Sequence, residues 1–108
     1  MIEPNTTQFT PDEAKILGKM TVLCSQKECC EKDVMEKMER LGADESLQAR
    51  IMAYLVDERY IDEERYCRGF VHDKKEYNRW GRMKIEQALY MKGIGKQASA
   101  QALDEIAE

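Results

Sequence analysis

Cysteine and histidine have the widest chemical repertoire of any residues in this chain, and the chain has four cysteines and one histidine. Zinc sites pair their ligands at two- to four-residue spacings. Cys24, Cys29 and Cys30 are five and one residues apart, Cys67 is distant, and His72 has no second histidine. The expectation is four buried, reduced thiols and no metal site. The acidic stretch Asp62-Glu63-Glu64 could supply paired carboxylates for acid–base work. More simply, Asp62 caps a helix and the two glutamates favour its positive end. Gly93-Ile94-Gly95 follows no strand pattern, so it does not read as a phosphate-binding loop. His72 has no nucleophile at a readable spacing. With no cluster of nucleophile, base and oxyanion donors, the chain reads as a non-enzyme without a cofactor.

Charge is more informative. The net charge is −4, yet residues 65–96 carry nine cations against three acids, a local +6, while the remainder carries eight against eighteen, −10. Such a segment can face a polyanion or an acidic partner. At its centre is "YNRWGRMKIEQ", residues 77–87, with the single tryptophan. The candidate binding residues are Arg65, Arg68, Lys74, Lys75, Arg79, Trp80, Arg82 and Lys84. Arg82 falls in a helical first turn, where a cation opposes the macrodipole, so local stability does not explain it. A solvated face with internal ion pairs is the alternative for the basic run. Trp80 fits either an interface or a packing role between two helices, with Gly81 serving the turn and Asn78 ending or capping a helix.

The elements that carry these residues are helices. Helix formers dominate, with two prolines, six glycines and two phenylalanines in 108 residues. Thr10-Pro11-Asp12-Glu13 is a capping box with proline in the first turn, and Ser25-Gln26-Lys27-Glu28 repeats the box pattern. Asp44 and Asp62 are further caps, and Gly42 and Gly93 are stop signals. The expected helices are 11–24, 26–41, 45–59, 63–77, 82–92 and 96–107. Apolar stripes run through Val34, Met38 and Leu41; Leu47, Ile51 and Leu55; Tyr66, Phe70 and Tyr77; Ile85 and Leu89; and Ala98, Ala102 and Ile106. Met35, Met38, Met52, Met83 and Met91 read as core and repeat-interface filler. The longest apolar run, 51–56, is too short to span a bilayer, and the start has no basic, apolar leader. A cytoplasmic protein is expected.

Shifted by 51 residues, the chain matches itself: Val34 on Ile85, Met38 on Leu89, Gly42 on Gly93, and Ile51 and Met52 on Ala102 and Leu103. The expectation is an all-α protein of tandem three-helix repeats, elongated, curved and solenoid-like. A flexible segment 1–10 precedes repeats at 11–60 and 61–108, and a third repeat is expected to be missing.

The segments "LCSQKECCEKDVMEKMERLG" and "YIDEERYCRGFVHDKKEYNRWGRMKIEQALYMKGI", with the repeat itself, resemble the RecX family of bacterial recombination regulators. The resemblance covers about residues 14–105. It implies a cytoplasmic protein that binds the RecA recombinase filament on single-stranded DNA and inhibits its ATPase, strand exchange and growth. It also implies weak contact with DNA, no membrane and no small-molecule substrate. Direct binding of single-stranded nucleic acid through the basic run is the alternative.

Overall fold

The computed structural model describes residues 9–106, with side chains through residue 105. The expected flexible segment lies, through residue 8, outside the described residues, as does the side chain of Ile106. Six helices follow in order: α1 (Pro11–Gln26), α2 (Glu31–Arg40), α3 (Glu45–Asp57), α4 (Glu63–Glu76), α5 (Arg82–Met91) and α6 (Lys96–Ile106). They form two compact units that divide between Ile61 and Asp62.

In the first unit, α1 starts on the expected capping box. The Glu13 amide donates to Thr10 Oγ at 3.2 Å, and the Thr10 amide donates to Glu13 Oε1 at 3.0 Å. The same carboxylate takes a bidentate grip from Arg50 of α3, at 3.0 and 3.4 Å, tying the start of α1 to α3. That hydrogen-bonded guanidinium holds the Glu13 carboxyl below its ordinary range. Leu17, Met20 and Cys24 of α1, Val34 and Met38 of α2, and Leu47, Ile51, Met52 and Leu55 of α3 close the core with Cys29, Ala43 and Ile61.

The second helix does not begin at residue 26. Ser25 Oγ donates to the Thr21 carbonyl at 2.7 Å, staying in α1, which runs on to Gln26. Cys30 is the N-cap of α2, without a side-chain cap. Cys29 and Cys30 are each 2% exposed. The chain is extended at Cys30, with φ −94° and ψ 161°, and the two thiols are buried where the local box pattern predicts the first turn of a helix.

In the second unit, Tyr66, Cys67 and Val71 of α4 pack with Ile85 and Leu89 of α5, Ile94, and Ala102 and Leu103 of α6. Asp62 Oδ1 accepts from the Arg65 amide at 3.0 Å, so it caps α4 as expected. Tyr77 does not continue the α4 stripe. The helix ends at Glu76, and Tyr77 is 77% exposed at its C-cap.

Each unit has a corner of the same kind. Gly42 and Gly93 adopt φ of +91° and +82°. Their amides donate to Glu39 and Tyr90 carbonyls at 3.0 and 2.9 Å, and those of Ala43 and Ile94 reach Met38 and Leu89 carbonyls, both at 3.0 Å. This is a Schellman-type stop, and the left-handed residue it requires is glycine in both. The N-caps Cys30 and Gly81, like the Asp44 and Gly95 that precede α3 and α6, also stand 51 residues apart. Thr10 and Asp62, by contrast, stand 52 apart, so the second unit is one residue shorter between its first cap and its second.

Candidate functional site

Four residues, Tyr77 to Trp80, lead from α4 toward Gly81 and α5. Arg79 takes φ of +58°, a left-handed conformation that costs a non-glycine residue roughly 1–2 kcal/mol. The turn delivers the Trp80 amide to the Lys74 carbonyl at 3.0 Å, folding the indole back toward the last turn of α4. Gly81, expected to serve the turn, is instead the α5 N-cap in extended geometry, with φ −79°. A Cβ there would meet nothing within 4 Å. Asn78 does not cap α5.

Trp80 is half-buried, and two ammonium groups stand by its ring, Lys74 at 4.8 Å and Lys84 at 4.4 Å from the centroid. Lys74 also lies 5.4 Å from the Phe70 ring, which stacks on Tyr66 at 5.9 Å. Each cation–π contact contributes about 0.5–1 kcal/mol near the surface. The two ammoniums can be no more than about 9 Å apart, since both lie within 5 Å of one centroid. Lys75, Glu76 and Arg79 line a shallow depression beside the same indole. Four cations, Lys74, Lys75, Arg79 and Lys84, thus surround one indole, with Glu76 as the acid among them.

The other candidate residues go elsewhere. Arg82 Nη2 bonds Asp104 of α6 at 2.9 Å and its Nε lies 3.7 Å from Glu86, so internal ion pairs account for this cation at a helix N-terminus. Arg68 lines a narrow crevice with Cys67 of α4 and Ala98, Gln101, Ala102 and Glu105 of α6. It precedes Lys74 by six residues, about 9 Å along the helix and a third of a turn round it. Arg65, three residues earlier, shares the Arg68 side. Of the eight, the structure brings Lys74, Trp80 and Lys84 together, with Lys75 and Arg79 adjacent.

Two expected core methionines are at the surface: Met83 is 82% and Met91 62% exposed, beside Tyr90 at 75%. Ile85 and Leu89 alone fill the inward seam of the ten-residue α5. Met83, Gln87 and Tyr90, with Ile94 and Lys96, line an open groove along α5 and its corner with α6. Sequence periodicity missed it; the repeat could have found it, because Met83 and Tyr90 fall on Lys32 and Glu39 of the first unit.

All four cysteines are buried free thiols. Burial foremost, then Glu63, pushes Cys67 up to about 11. A thiol reagent at pH 8 is therefore expected to label Cys67 only as unit 2 opens; rapid labelling of the native protein would contradict this placement. Stability that depends on this thiol is full below the ordinary cysteine range and falls as pH rises toward 11. Among the described residues no group of His, Cys, Asp and Glu is arranged to hold a metal. His72 is exposed, with Nδ1 3.5 Å from Asp73 Oδ1. No described helix is long and apolar enough to cross a membrane.

Two three-helix units with the same corner at a fixed offset define an all-α protein of tandem three-helix repeats. Residues 62–103 match the model of RecX, second three-helix domain. A crystal structure of regulatory protein RecX is similar at 26% identity and a TM-score of 0.80, covering 86% of this chain and 46% of that one. RecX from Lactobacillus salivarius is similar in fold at 24% identity and a TM-score of 0.78, with 85% and 60% covered. This chain thus spans roughly half the length of those relatives, and no curated protein matches it significantly. By these matches the chain is similar to RecX proteins, in sequence over residues 62–103 and in fold over most of its length.

Proposed function

We propose that this protein acts in the cytoplasm as a regulator that binds the RecA recombinase filament on single-stranded DNA. It inhibits the filament's ATPase, strand exchange and growth, and so modulates DNA repair and recombination. It works by contact and not by catalysis. The observation that carries this is the match of residues 62–103 to the second RecX domain, the unit that also holds the Lys74–Trp80–Lys84 cluster. Added to RecA on single-stranded DNA, the protein is expected to lower ATP hydrolysis in proportion to filament coverage. Unchanged hydrolysis at saturating concentration would sink the proposal.

One specific observation favours a second reading, direct binding of single-stranded nucleic acid. A half-exposed indole flanked by two ammoniums can stack a base and neutralise phosphate. Such binding releases counterions and weakens steeply with salt. A titration with single-stranded DNA that shows no affinity near physiological salt removes it.

A further inference from the structure

We propose that the groove formed by α5 and the α5–α6 corner docks an acidic, amphipathic segment of a partner protein. The segment's apolar side chains lie on Met83, Tyr90 and Ile94, and its carboxylates meet Lys84 and Lys96. Met83, Gln87 and Tyr90 are spaced i, i+4, i+7 and so share one face, with Ile94 forming the floor of the groove. Two large apolar side chains more than 70% exposed on a ten-residue helix need a reason.

The first unit supplies an internal control. Its α2 and its corner have an N-cap at the equivalent position, the same glycine conformation and the same corner hydrogen bonds at an offset of 51. There the five equivalent positions are Lys32, Asp33, Glu36, Glu39 and Glu45, against Met83, Lys84, Gln87, Tyr90 and Lys96 in the second unit. The backbone therefore forms without apolar residues on this face. Between the units the set changes from one cation and four acids to two cations and none, with two apolar side chains added. The acid that does line the groove, Glu86, lies 3.7 Å from Arg82. An apolar strip with cations beside it selects an apolar ligand bearing carboxylates, which is the chemistry of an acidic amphipathic helix. A nucleic acid would use the cations but leave Met83 and Tyr90 idle. This inference stands whether or not the partner is a recombinase.

The test uses the full chain and a designed helical peptide of about 15 residues, with leucines at i, i+4 and i+7 flanked by glutamates. A matched peptide carries lysine in place of each glutamate. Micromolar binding of the acidic peptide, at least tenfold tighter than its lysine counterpart, is expected. NMR shifts should centre on the Met83 methyl and the Tyr90 ring. The triple variant Met83→Lys/Tyr90→Glu/Lys96→Glu installs first-unit residues that the same backbone already tolerates. It should bind at least tenfold more weakly with an unchanged melting curve. The wild-type shifts decide the matter even if that variant does not fold. The proposal is overturned by no binding at millimolar peptide or by equal affinity for the lysine peptide. A short oligothymidylate that shifts these signals when the peptide does not also overturns it. So does self-association of the chain through the same residues.

Discussion

Leu89→Ala is expected to destabilise the second unit by about 2–5 kcal/mol, the usual range for a buried leucine truncated to alanine. Leu89 is fully buried, and its carbonyl receives the Ile94 amide that sets the corner before α6. The cavity would open where α5 meets α6, in a unit of fewer than fifty residues with little reserve stability. The core cluster of the first unit runs from Leu17 to Ile61 and includes no second-unit residue. The damage should therefore be local. In a urea titration, fluorescence of Trp80, the single tryptophan and a second-unit residue, should change well before the helical circular dichroism is fully lost. A loss below about 1 kcal/mol, or coincident transitions, would count against the packing described here.

On the proposed function, Lys74→Glu/Lys84→Glu is expected to weaken inhibition of RecA ATP hydrolysis more than tenfold, with a much smaller effect on folding. Both ammoniums sit against Trp80, so the double reversal replaces the two cations at the indole with two anions. The structural losses are two cation–π contacts of about 0.5–1 kcal/mol each. A glutamate at position 84, in the first turn of α5, gains from the helix dipole, while one at 74, in the last turn of α4, loses by a similar amount. Arg82→Glu is the control. It breaks the 2.9 Å pair with Asp104 and should lower the melting temperature more than it affects the partner. If the double variant inhibits as well as the wild type, the Trp80 cluster is a solvated face and nothing more.

Features set by local hydrogen-bond chemistry were legible in the sequence. The caps at Thr10, Asp44 and Asp62 and the left-handed glycines at 42 and 93 depend on a few neighbouring residues, and all formed. The end of α1 was not legible, because Ser25 to Glu28 satisfies a capping pattern, yet α1 runs on to Gln26 and Cys29 and Cys30 are buried. Helical period places Tyr77 and Met83 on a stripe, but it does not say where the helix stops or which stripe finds a neighbour. The basic run was visible as a density of charge. Its partition was not: Arg82 finds Asp104 22 residues away, and Trp80 reaches Lys74 only through a left-handed arginine that no residue preference predicts.

The single-residue difference between the two units has a wider meaning. From the second cap onward, the caps and corner hydrogen bonds recur at an identical offset; only the stretch before that cap differs in length. Within that stretch α4 is two residues shorter than α1, and the joint that follows it is one residue longer, residues 77–81 against 27–30. A joint that differs in length between the two units can also differ in its side chains while the corner that follows it stays the same. In the second unit that difference falls at Tyr77 to Gly81, and the chain's one tryptophan stands there, folded back against two lysines.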